Sequence, residues 1–217
     1  MKGLLLDLDD TLVDEGSARR QGVAALFRVH GPRYPALGEG QLEALWRGIS
    51  RRHWQRYVAG EISFQEQRRG RMRELLGEPL SAKAADAAFE PYRLAYEAAW
   101  RPLPDLHAFL DRTRDLPKVI ITNGDRCQQR RKLEAAGLAP HVLGVLTPDD
   151  CGCWKPDPGI FLAGLARLGL PGRECAMIGD DETLDLEPAR RLGLGVFRVD
   201  ARDPERTLLK ALEALSP

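Results

Sequence analysis

The 217-residue chain has no long apolar run, no excess of either charge, few aromatic residues (6%) and only four cysteines. No stretch approaches the roughly 18 consecutive apolar residues of a transmembrane helix, so no membrane partner is expected. Lys and Arg number 32, as do Asp and Glu. That balance argues against a broad phosphate-neutralising face, and so against a nucleic-acid polymer as partner. Cys127, Cys151, Cys153 and Cys175 are too few for a disulfide framework in a chain of this length. Cys151-Gly-Cys153 is a lone C-x-C without a second pair, read as loop rather than as a metal or redox site. The opening MKGLLLDLDD turns acidic too early for a signal peptide. The expected compartment is the reducing cytoplasm.

A hydrophobic content of 43% supports one sizeable core with room for a smaller lobe. Short apolar runs bounded by turn residues predict buried strands at 3–8, 118–122, 142–146, 175–178 and 195–199. Helical patterns separate the later ones: 125–138, 157–170 and 184–194. Strand–helix alternation implies an α/β fold, a doubly wound, mainly parallel Rossmann-like sheet covered on both sides. Residues 15–100 differ. They contain four amphipathic helical patterns and no convincing strand, which predicts an inserted α-helical lobe. Pro102 and Pro104 mark the return to the core. The expected division is therefore a core of 1–14 and 101–217 and a helical insert of 15–100.

Ligands of open parallel sheets bind beyond the carboxyl ends of the strands. There the sequence places Asp7-Leu8-Asp9-Asp10-Thr11, Thr122-Asn123-Gly124 and Gly179-Asp180-Asp181, with Asp185 shortly after. Period-two alternation puts Asp7 and Asp9 on one side of an extended segment. Two carboxylates held together repel, and a hard divalent cation such as Mg²⁺ relieves the repulsion, with Asp180 as a further ligand. Lys155 supplies a point charge, Thr122 a hydroxyl, and Asn123 and Gly124 backbone N–H groups at a helix start, an anion-binding position. Metal, lysine and carboxylate together suit a phosphoryl group attacked by one of the acids.

DLDDTL, IITNG, KPDPGIF and IGDDETLD occur in that order. On these four motifs the chain resembles the haloacid dehalogenase-like hydrolase superfamily, in the branch with a helical cap inserted after the first motif. ITNG and the style of the cap are similar to nucleotide and N-acylneuraminate-9-phosphate phosphatases. The resemblance implies a Mg²⁺-dependent phosphomonoester hydrolase acting on a small phosphorylated metabolite through an aspartyl-phosphate. It implies Asp7 as nucleophile and Asp9 as general acid and then base. Thr122, Asn123, Gly124 and Lys155 would hold the phosphoryl group. Asp7, Asp180 and the backbone carbonyl of Asp9 would hold Mg²⁺, with Asp185 and Asp181 in outer or assisting places.

The superfamily also contains sugar-phosphate mutases with the same core residues, which is the alternative reading. Dehalogenases lack an acid at the Asp9 position. A phosphonate-cleaving relative would need a Schiff-base lysine, and Lys83, the insert's lone lysine, has no supporting context. A non-catalytic scaffold would not need every position filled. The bland reading of Asp10 is a turn former. His30, His53, His107 and His141 fall outside the motifs and read as packing or surface residues. Trp46, Trp54, Tyr57 and Trp100 read as core or junction residues. The arginines from Arg68 to Arg73 read as a solvated helix face, or as a source of one contact to an anionic substrate. Oligomeric state is left open.

Overall fold

A computed structural model describes residues 1–200, 203 and 205–215. The chain forms two compact units, Met1–Glu15 with Trp100–Pro217, and Gly16–Ala99. The first is an α/β unit. Its five strands are β1 (Gly3–Leu6), β2 (Lys118–Ile121), β3 (Val145–Leu146), β4 (Cys175–Gly179) and β5 (Gly195–Arg198). They lie in the order β3-β2-β1-β4-β5, all parallel, with Leu5 opposite both Val119 and Met177. This is the doubly wound, Rossmann-like arrangement expected from the strand–helix alternation.

The apolar runs form strands because both faces of the sheet are covered. Leu5, Val119, Ile121 and Met177 pack with Ile160, Phe161 and Leu165, which lie on helix α8 (Pro158–Leu168). Leu4, Leu6 and Ile120 alternate with them and are equally buried. Gly164 lets α8 approach closely: a Cβ there would sit 2.8 Å from Leu5 Cδ2. Lys118 opens β2 although buried, and its Nζ donates to the carbonyl of Leu116 at 2.8 Å and to that of Thr113. A buried ammonium without such partners would cost several kcal/mol.

Two strands are shorter by two residues or more than the apolar runs that foretold them. β1 ends at Leu6 because the chain turns: Asp10 takes a left-handed φ of 56°, and its N–H donates to Val13 O at 2.8 Å. Aspartate is among the few side chains that tolerate this conformation. β3 keeps only Val145 and Leu146, since Gly144 has φ 146° and interrupts the extended backbone.

The second unit consists of helices. α1 (Glu15–His30) begins at Glu15, the last residue of the first unit's N-terminal segment, and α2 (Glu39–Val58), α3 (Phe64–Leu76) and α4 (Ala82–Ala98) follow. Ser63 and Ser81 cap α3 and α4 by accepting from Glu66 N and Ala84 N. Trp46, Phe89 and Tyr92 form its aromatic core, with ring centroids 5.1 Å apart for Trp46–Tyr92 and for Phe89–Tyr92. Trp46 thus packs as a core residue, while Trp54 stands edge-on to Tyr57. Arg69 pairs with Asp86 at 2.8 Å and Arg73 with Glu66 at 3.1 Å. The first pair ties α3 to α4, and the second lies within α3. Among the described residues, no helix is long and apolar enough to cross a membrane.

Candidate active site

The carboxyl ends of β1, β2 and β4 carry the acids and donors. Asp7 follows β1 directly, and its N–H continues the ladder to Ile178 O at 2.9 Å. Its carboxylate is buried and accepts from Lys155 Nζ at 2.6 Å and from Thr11 Oγ1 at 3.1 Å. Lys155 Nζ also donates to Asp185 Oδ1 at 2.6 Å. Asn123 fixes the Lys155 backbone from both sides. It accepts from the Lys155 N–H at 2.7 Å and donates to the Lys155 carbonyl at 2.9 Å.

Asp185 reaches this site through an unusual turn. Glu182–Leu186 is a π-helical turn capped by Asp181, whose Oδ1 accepts from Thr183 N and Leu184 N. The Asp181 N–H donates to Asp185 Oδ2 at 3.2 Å. Gly179 is required beneath it, because a Cβ there would lie 2.5 Å from Asp185 Oδ2. Asp181 therefore acts on Asp185 through its backbone and on the turn through its side chain.

Oxygens of Asp7, Asp180 and Asp185 all lie within 4.8 Å of one another. Burial pushes the Asp7 carboxyl well above its usual range. Lys155 opposes that shift, and the charges on Asp185, Asp180 and Asp9 add to it. Asp180 is pushed up to about 7, by burial and then by Asp185 and Asp10. Lys155 is raised despite its burial, because Asp7 and Asp185 favour its charged form. Three carboxylates against one ammonium leave negative charge in excess. A hard divalent cation with oxygen ligands fits that donor set.

Asp9 goes elsewhere. Alternation does not persist past the end of β1, and the Asp9 carboxylate joins a second network instead of the three-acid cluster. It meets helix α6 (Arg126–Ala135), accepting from Gln129 Nε2 at 2.7 Å and from Lys132 Nζ. Thr122 Oγ1 accepts from the same Gln129 Nε2 at 2.8 Å and from Gly124 N at 3.2 Å, which leaves the Thr122 hydroxyl hydrogen to donate outward. Sequence reasoning missed Gln129 and Lys132. Their helix, RCQQRRKLEA, is polar on every face, and the i, i+3 spacing toward the acid motif was the one available signal.

The chain matches the haloacid dehalogenase-like hydrolase family over residues 1–193. It is 37% identical to phosphoserine phosphatase of Thermus thermophilus, over 94% of this chain and 92% of that one. It is 23% identical to human N-acylneuraminate-9-phosphatase, over 89% and 80%. The fold matches magnesium-bound HAD-hydrolase YfnB of Bacillus subtilis with TM-score 0.79, at 21% identity and covering 100% and 99% of the two chains. The extent of the family match and the 37% identity across nearly the whole length leave one assignment: the chain belongs to the haloacid dehalogenase-like hydrolases.

Proposed function

We propose that this hydrolase is a cytoplasmic phosphomonoesterase for a small phosphorylated metabolite, with Asp7 as nucleophile and Asp9 as proton carrier. The observation that carries the reading is the separation of the two acids. Asp7 lies in the buried cluster with Lys155. Asp9 lies outside that cluster with a side chain 31% exposed, where a leaving group or water could reach it.

In the first step an Asp7 oxygen forms a bond to phosphorus as the bond to the leaving oxygen breaks, and Asp9 gives that oxygen its proton. In the second step water gives a proton to Asp9 and attacks phosphorus. The bond to Asp7 breaks, inorganic phosphate departs and both acids return to their starting state. Lys155 and the Thr122 hydroxyl bind the phosphoryl oxygens, with the backbone at Asn123 and Gly124 lining the helix start. Asn123 contributes further by holding Lys155 in place. Asp7 and Asp180, with the backbone carbonyl of Asp9, would hold Mg²⁺, and Asp185 is close enough to assist. When bound, the ion would neutralise charge on the phosphoryl group. The role of cap, and with it the choice of substrate, is assigned to the helical unit.

Release of inorganic phosphate from a panel of phosphoserine, sugar phosphates, nucleoside monophosphates and p-nitrophenyl phosphate, with and without Mg²⁺, tests the reading. The expected result is Mg²⁺-dependent turnover of at least one ester. No release from any of them, together with no Mg²⁺ binding by calorimetry, refutes it.

A further inference from the structure

Gln129 and Lys132 are wholly buried, beside Leu133, on α6. An ammonium in that position costs free energy unless it is paired. Lys132 Nζ contacts Asp9 Oδ1 and lies 2.8 Å from Glu15 Oε2. It also sits 5.4 Å from the centroid of the Trp100 ring. Gln129 Nε2 has two hydrogens, and both are used: one on Asp9 Oδ2 at 2.7 Å, the other on Thr122 Oγ1 at 2.8 Å. Its Oε1 is buried with no hydrogen-bond partner among the described residues.

An unsatisfied buried acceptor costs about 1–3 kcal/mol, which the two hydrogen bonds donated by the same amide must offset. What glutamine adds at this place is the pair of donors. Gly124 makes room for them, because a Cβ there would lie 2.2 Å from Gln129 Nε2. Each oxygen of Asp9 thus has its own donor, and the two donors come from adjacent turns of one helix, three residues apart. A carboxylate held at both oxygens keeps one orientation, and one amide group sets the acid and the threonine hydroxyl relative to each other.

We infer that Gln129 and Lys132 are positioning residues that orient Asp9 for proton transfer; the inference rests on the reading of Asp9 as the acid and base. The test is chosen to separate orientation of the acid from general structural support. A leaving group that departs readily as an anion does not need an acid, whereas an alkoxide does. Gln129→Met and Lys132→Met are assayed in Mg²⁺ on p-nitrophenyl phosphate and on the alkyl phosphomonoester that the wild type turns over best. Asp9→Asn serves as reference.

Both variants are expected to lose about 10–100-fold more kcat/KM on the alkyl ester than on the nitrophenyl ester, because kcat/KM reports only the steps up to formation of the phosphoenzyme. On the nitrophenyl ester they are expected to release one equivalent of nitrophenolate in a burst, because hydrolysis of the phosphoenzyme still needs Asp9 as base. An equal loss of kcat/KM on both esters, or no loss, overturns the inference. If Lys132→Met does not fold, Gln129→Met decides alone, since the amide is uncharged and methionine matches its length. Failure of the underlying reading looks different. Either the wild type releases no phosphate, or Asp9→Asn itself shows no preference between the esters.

Discussion

Replacing Lys155 by methionine removes the ammonium that stands 2.6 Å from both Asp7 Oδ1 and Asp185 Oδ1. The aliphatic part of the side chain is kept, so the loss is electrostatic. Three acids within 4.8 Å would then share a site containing no cation. Removing one partner of a buried ion pair costs about 3–5 kcal/mol. In a protein of this size each kcal/mol lowers Tm by about 2–4 °C, giving a fall of about 6–20 °C.

The fall has a pH dependence with a definite sign. At pH 8 the acids must stay ionised against one another or hold costly protons. At pH 5.5 Asp7 and Asp180, both raised by burial, take up protons readily, and the penalty shrinks. Mg²⁺ should shrink it as well, by replacing the missing positive charge. The assay is thermal unfolding followed by circular dichroism, on wild type and Lys155→Met, at both pH values, in EDTA and in excess Mg²⁺. A variant in EDTA at pH 8 within about 2 °C of wild type, under 1 kcal/mol on the same conversion, would refute the argument that Lys155 balances the acid cluster.

Asp180 offers a second check by linkage. Its folded-state pKa of about 7 lies above the ordinary 3.8, so the folded protein holds a proton that the unfolded chain has lost between those values. The stability associated with it is fully present below about pH 4 and is lost as pH rises through 7. Asp180→Asn should therefore be more stable than wild type in EDTA at pH 8 and no more stable at pH 5, as urea titrations would record; equal stability at both pH values would contradict it. Gly179→Ala places a methyl group 2.5 Å from Asp185 Oδ2. It should cost about 1–3 kcal/mol in chemical denaturation and weaken Mg²⁺ binding measured by calorimetry; unchanged binding would mean that Asp185 is not needed for the ion. Asp7→Asn should abolish turnover with the circular dichroism spectrum unchanged, and normal turnover in this variant would remove it as nucleophile.

The sheet was legible in the sequence because strands covered on both faces must be apolar throughout. KVII and CAMI could hardly be anything else once helices lay on either side. The motif acids were legible for a related reason: charge at the end of a buried run needs compensation, and Lys155 and the other acids were visible as candidates. The four amphipathic patterns of residues 15–100 were legible as helices. Chain geometry beyond the strand ends was not. Asp7 and Asp9 alternate only while the backbone is extended, and the turn at Asp10 sends their carboxylates into different networks. Asp185 joins the acid cluster because a π-helical turn and the bare Cα of Gly179 admit it, and spacing alone does not specify either. Gln129 and Lys132 sit in a helix too polar to have a readable inner face. Which polar side chains of such a helix are buried is decided by what packs on it, and that is known only once α6 lies against Asp9 and Thr122.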